Sequence, residues 1–457
     1  MDIDRRKILK WSGAGAGIAA ATLPAQAAPN PATTISAFGI DATRFGVRPG
    51  SPDDQTGPLQ RAIDHAAGER MPLALMPGVY RAGDLRLPNG AQLVGIRGAT
   101  RIVLSNGPQL LSGVGANNVT LSGLILDGAK RPLSDKTGLL RLENARSLRI
   151  TDCEILNSGS QGMFLIGAEG EISGNLIADT ADVAILSFNG FGLTIARNTI
   201  RKAGNNGIQI RRWDAGDDGT MVLDNRIEGI SDRAGGSGQY GNGVNAHNAH
   251  NVIVRGNRIK DCAFSAVRGN TANNIHIANN SVTDVREVAL YSEFAFEGAV
   301  IANNTVQGAA VGVSVCNFNE GGRLAIVSGN IIRGLLPKRP PSTAPDDDAG
   351  IGLYVEADAT VTGNVVEGAS RAGIMLGWGR YLRDVAVTGN VVRKSDIGIA
   401  VSVLPGSGSA LIADNVITGT TRGAVVGMDH AKPVTGDLLK SGLKSYAHIA
   451  ASGNHAT

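Results

Sequence analysis

The chain has 457 residues, 62 of them glycine, with 42% apolar and only 4% aromatic side chains. Lys and Arg (43) nearly balance Asp and Glu (40), so nothing in the charge argues for nucleic acid or a membrane surface. Glycine this abundant without a collagen period, alongside many Asn, Val and Ile, predicts short strands and tight turns rather than helices.

At the N-terminus, "MDIDRRKILK" places Arg5 and Arg6 before the mild apolar run "WSGAGAGIAAATLP". "AQA", ending at Ala27, then has the small-x-small pattern of a cleavage site. The run is too short and too rich in Gly and Ala to span a bilayer well, so residues 1–27 read as an export signal. Its removal takes away four Lys/Arg and two Asp/Glu, which leaves the remainder nearly neutral with no membrane span. Residues 28–50 read as a linker and first strand. In "DDQTGPLQRAIDHAAGER", Asp53 and Asp54 precede a helix expected near residues 58–68, with Leu59, Ala62, Ile63 and Ala66 on one face. His65 lies on this helix and reads as structural.

From there a repeat takes over. "ISGNLI", "IARNTI", "VLDNRI", "VRGNRI", "IANNSV", "IANNTV", "VSGNII", "VTGNVV" (twice), "IADNVI" and "AASGN" place Asn175, Asn198, Asn225, Asn257, Asn280, Asn304, Asn330, Asn364, Asn390, Asn415 and Asn454 in one recurring position. Cys153 holds that position one unit earlier. A second apolar-alternating run follows each Asn, as in "GIQIRR", "AVRGNT" and "ALYSEF". A unit this small without a helix cannot bury its own apolar face; stacked units can, by pairing each strand with its copy in the next turn. The prediction is an all-β, right-handed, single-stranded parallel β-helix of roughly a dozen coils over residues 51–430. Its Asn ladder fills one corner, and the helix near 58–68 caps its open end. Residues 431–457 are expected to form a C-terminal excursion and a last partial coil. The stretch 427–447, with Asp429 and His430, reads as loop. Cys153, Cys262 and Cys316 are too scattered for a disulfide framework or a zinc site.

The opening "FGVRPGSPDDQTGPLQRAIDHA…MPGVY" resembles that of pectate-lyase-like β-helix proteins, and "DRRKILK" resembles a twin-arginine signal. Together with the repeats, the chain resembles a family of twin-arginine-translocated repeat proteins of that superfamily, whose activity is not established. The resemblance implies the pectin-lyase fold, engagement of the twin-arginine export machinery, and a periplasmic or secreted location. Many lyases on this fold use Ca²⁺, but Asp346–Asp348, in a loop after a proline run, read as a solvated charge run. No cofactor is assigned, and a monomer is expected.

Two units are longer than the rest. From Asn225 to Gly243 is 18 residues and from Asn330 to Gly352 is 22, through the inserts "SDRAGGSGQYGN" and "LPKRPPSTAPDDDAG". Both leave the same corner, so they can wall a groove along the following strand; neutral surface insertion is the alternative. Alternation on that strand sends two columns outward. One reads Gln209, Asn245, Arg268, Tyr291, Ser314, Tyr354, Met375, and the other reads Arg211, His247, Asn270, Glu293, Cys316, Glu356, Gly377. These residue types suit an acidic polysaccharide. Lyase or C5-epimerase chemistry on a uronic acid needs a group to neutralise the carboxylate, and a base and an acid. Arg211, Arg268, Asn245 and Asn270 can neutralise, while His247 or Tyr291 can move the proton. Gln209, Tyr354, Glu356 and Trp378 complete the expected binding surface. Two other readings stand: inverting glycoside hydrolysis by Glu293 and Glu356, two coils apart, and a non-catalytic polysaccharide-binding or envelope protein.

Overall fold

The computed structural model describes residues 39–134, 137–236, 238–340 and 349–457. Arg5, Arg6, Ala27 and Asp346–Asp348 lie outside them.

Alternating apolar residues in units too short to fold alone produce about 14 turns of right-handed parallel β-helix. Each turn gives one strand to each of three sheets. Ile253–Arg255 lies in the first sheet, Arg258–Cys262 in the second and Val267–Asn270 in the third, before Ile275–Ala278 returns to the first. The third sheet carries the inward column expected from alternation. Ile208, Val244, Val267, Leu290, Val313, Leu353 and Ile374 stack in register and are fully buried. They belong to one continuous apolar core along the length of the helix.

The Asn ladder occupies the corner between the first and second sheets. Asn198 donates from its backbone N and its Nδ2 to Asn225 Oδ1 at 2.9 and 3.0 Å, and Nδ2 also reaches Ile172 O at 2.9 Å. The same pattern runs on to Asn454. At its start, Cys153 offers its backbone N–H to Asn175 Oδ1. Each buried amide is thereby satisfied by its neighbours. Asn280→Ala strips the acceptor from Asn257 N and Nδ2 and the donor from Val254 O. The expected cost is about 2–4 kcal/mol, read as a lowered Tm, whereas Thr283→Ala on the outer side of the same turn should change little.

A helix over Thr56–Gly68 covers the N-terminal end and buries Leu59, Ala62, Ile63 and Ala66, the face read from the sequence. His65 stacks on Phe45 with ring centroids 5.1 Å apart. At the other end the stretch read as loop is not one: Gly423–Asp429 turns back antiparallel on Lys432–Asp437. Asp437 then caps a short helix through Leu439 N, and Ile449–Ser452 rejoins the first sheet. No helix among the described residues is long and apolar enough to cross a membrane.

Candidate functional site

Both outward columns stand in the expected register on the third sheet. Gln209, Asn245, Arg268 and Tyr291 are successive neighbours, as are Arg211, His247, Asn270 and Glu293, each step spanning about 4.8 Å. The columns are not a solvated face, however. Gln209 and Arg268 are 8% exposed and Asn245 4%, because the first insert folds back over them. The carbonyl of Gln239 accepts from Asn245 Nδ2 at 3.1 Å and from Asn206 Nδ2 at 3.2 Å, and that of Gly238 accepts from Asn242 Nδ2 at 2.9 Å. Gly238 has a φ of +114°, and a Cβ there would stand 1.7 Å from Arg268 Nη1. Only glycine lets the insert close on the guanidinium.

Between the insert and the sheet lies a cleft of about 420 Å³, lined by Gln209, Arg211, Tyr240, Asn245, His247 and Asn270 among others. His247 is half-buried at its centre. Its Nδ1 and the Oδ1 of Asn245 have no hydrogen-bond partner among the described residues. Burial, and then the Arg211 guanidinium, hold His247 below the ordinary histidine pKa, so the imidazole is neutral at pH 7 and able to take a proton. Arg211 is exposed and in no ion pair among the described residues. The cleft therefore presents a half-buried neutral imidazole and an uncommitted cation one strand spacing apart, while His247 Nδ1 and Asn245 Oδ1 are themselves closed off from solvent.

The residues expected beside them are committed elsewhere. Arg268 donates from Nε to Glu293 Oε1 at 2.6 Å and from Nη2 to Oε2 at 3.0 Å, with Glu287 Oε2 at 3.4 Å from Nη1. Burial opposes its charge, but the two glutamates outweigh that. Arg268 thus does not meet the expectation of a carboxylate clamp; it braces the floor of the cleft. Asn270 holds the same Glu293 at 3.0 Å, and Arg339 from the second insert reaches Glu287 at 3.6 Å. Tyr291 lies under the Arg268 guanidinium, 5.1 Å from it to the ring centroid, with its hydroxyl 3.8 Å from Cys316 Sγ. Burial pushes its phenol far above the ordinary value, and it does not line the cleft, so it is not the proton carrier expected.

Glu293 and Glu356 do not form the hydrolase pair. Both are at most 5% exposed, and Glu356 accepts from Phe318 N at 2.6 Å and from the Tyr354 hydroxyl. Burial pushes Glu356 up. Tyr354 and Trp378 are not part of the cleft either. They pack on a second apolar cluster on the outer side of the third sheet, with Val288, Val311, Ile351, Met375 and Val426, and Trp378 meets the His430 ring at 5.4 Å. Burial pushes the Cys316 thiol up as well, which leaves it inert. The site is thus confined to the turns from Gln209 to Asn270.

Two residues escaped the sequence reading. Tyr240, the one aromatic in the first insert, reaches the cleft. Trp213 is 70% exposed on a strand extension at Ile208–Asp217, where the register slips between Arg211 and Gly216. The signal was a length: Gly207 to Asn225 spans 18 residues against 14 from Gly243 to Asn257.

Residues 111–240 match the family model described as right handed beta helix region. No curated protein matches the chain. Among solved structures the chain is similar to the N-terminal fragment of bacteriophage phi29 gene product 12, at 14% identity over 93% of this chain and 72% of that one, with a TM-score of 0.53. It is also similar to bacteriophage CBA120 tailspike protein 3, at 12% identity over 93% and 62%, with a TM-score of 0.52. The mannuronan C-5 epimerase AlgE6 A-module of Azotobacter vinelandii aligns at 15% identity over 92% and 99%, with a TM-score of 0.45. Likeness at these identities is one of fold.

Proposed function

We propose that this is an exported β-helix protein that binds an acidic polysaccharide and removes the C5 proton of a uronate unit, as a lyase or a C5-epimerase. The observation that carries the proposal is the neutral, half-buried His247 lining the same cleft as the unpaired Arg211, one strand away. Arg211 pairs with the uronate carboxylate and so acidifies the adjacent C5–H. His247 takes that proton. In elimination the C5–H electrons become the C4–C5 double bond, the C4–O bond breaks, and the departing oxygen takes a proton from the imidazolium or the Tyr240 phenol. In epimerisation the Tyr240 phenol reprotonates C5 from its opposite face instead, and the phenolate and imidazolium then exchange a proton through solvent.

Incubation with polymannuronate, polygalacturonate, hyaluronan and gellan tests this. Ultraviolet absorbance of unsaturated uronate reports elimination, and a changed ratio of epimeric uronates by NMR reports epimerisation. Polymers returned unchanged by both measurements contradict the proposal. A binder without chemistry is the second reading, favoured by the withdrawal of Tyr291 and Glu293 from the cleft.

The electrostatics also predict a pH profile. The base works unprotonated, so activity rises with pH through the His247 pKa, and its limb should lie below the ordinary histidine value. Arg211→Met removes a cation that disfavours the imidazolium, so the limb moves to higher pH while KM rises. A limb that stays in place contradicts the pairing of these two groups.

A further inference from the structure

We infer that the cleft continues toward the N-terminal end of the β-helix as a subsite for uncharged sugars, so that the polymer is a heteropolysaccharide in which neutral units flank the uronate. The inference rests on the function proposed above and narrows its substrate.

A second cavity of about 870 Å³ adjoins the first and shares Gln209, Arg211 and Tyr240 with it. Its walls include Phe164, Phe188, Trp213 and Tyr240, a concentration of aromatic rings in a chain with only 4% of them. Trp213 stands edge-on to Phe188 with centroids 4.4 Å apart. Its backbone is pinned on both sides, by Asn189 Oδ1 to its N at 3.1 Å and by Asn248 Nδ2 to its O at 3.3 Å. The indole is therefore held in place while 70% of the residue remains in solvent. A large apolar ring fixed in an exposed position awaits an apolar face, and a pyranose ring supplies one through its axial C–H groups while its hydroxyls point to the edges. Polar groups flank the rings to receive those hydroxyls. Asp182 is held by Gln161 Nε2 at 2.7 Å and Asn205 Nδ2 at 2.6 Å, and Gln209 follows one turn on.

Spacing and charge decide which sugars fit. Phe188 neighbours Arg211, which neighbours His247, with about 4.8 Å per step. One turn of the β-helix matches about one pyranose unit, so a chain lying along the axis with the reacting uronate across Arg211 and His247 places the next unit over Phe188 and the one beyond over the strand of Phe164 and Ile166. The upstream cavity offers no second carboxylate clamp: Arg141 is engaged with Glu143 at 2.6 Å. Asp182, in its wall, repels a carboxylate. A homopolymer of uronates would place one charge after another in that trough, whereas a neutral sugar stacks there without penalty.

Calorimetric titration of the full chain with oligomers of hyaluronan, in which glucuronate alternates with a neutral amino sugar, and with polymannuronate oligomers of equal length tests this. Wild type should bind the hyaluronan oligomer at least about tenfold more tightly, the scale of one aromatic stacking contact. Trp213→Ala should abolish that preference with the Tm unchanged, since the indole is mostly in solvent. Equal affinity for both oligomers, or a preference that survives in Trp213→Ala, overturns the inference and leaves the proposed function standing. Wild type that binds neither oligomer overturns the inference and leaves the proposed function to its own assay on polygalacturonate and gellan.

Discussion

His247→Gln is expected to lower turnover by about 10²–10⁴-fold, the usual contribution of a positioned general base, with polymer affinity and Tm close to wild type. The imidazole is half-buried, and its Nδ1 has no partner among the described residues, so little of the fold leans on it. Glutamine keeps a polar group of similar reach in the cleft but cannot carry a proton at neutral pH. Steady-state kinetics beside a thermal melt check this. Loss of folding in His247→Gln would mean that the side chain is structural.

Arg268 behaves in the opposite way. Arg268→Met should cost about 3–5 kcal/mol of stability, the penalty for leaving a buried charge without its partner. Glu293 and Glu287 are 2% and 3% exposed, and both face this one guanidinium. Replacing Arg268 and Glu293 together with Met should recover part of the loss, because the uncompensated charge then goes with the cation. Denaturant unfolding of the two single variants and the double variant gives the coupling directly. An Arg268→Met protein as stable as wild type, but with weakened polymer binding, would restore Arg268 to the substrate side of the cleft.

These two residues mark what the sequence discloses. Period-two alternation and the recurring Asn fixed the strand columns, and Gln209, Arg211, Asn245, His247, Arg268 and Asn270 stand beside one another as expected. Such a pattern depends only on backbone repetition, so it survives without any knowledge of side-chain contacts. Alternation tells which side of a strand a residue leaves from, but not what covers that side. Alternation alone places Arg268 facing substrate, because nothing periodic announces that Gly238, at a φ of +114°, brings the insert down on it. Tyr291, Glu293 and Glu356 fall outside the cleft for a related reason: alternation does not show that Tyr291 meets Cys316, that the Arg268 guanidinium holds Glu293, or that Phe318 N–H holds Glu356. Trp213 is not legible in the repeat because its strand is lengthened at its far end, beyond the register slip, and not between the Asn and the strand. The C-terminal hairpin was missed because Lys432–Asp437 is half-exposed along its length and carries no apolar alternation.

Exchange at C5 tests the central claim most directly. Wild type and His247→Gln are incubated with uronate-containing polymers in heavy water, and the C5 position is read by NMR alongside the absorbance of unsaturated product. The account predicts deuterium at C5 or unsaturated uronate with wild type, and neither with His247→Gln. A polymer that wild type binds and returns unbroken, with its C5 protons unexchanged after prolonged incubation, would contradict it and leave a binding protein in its place.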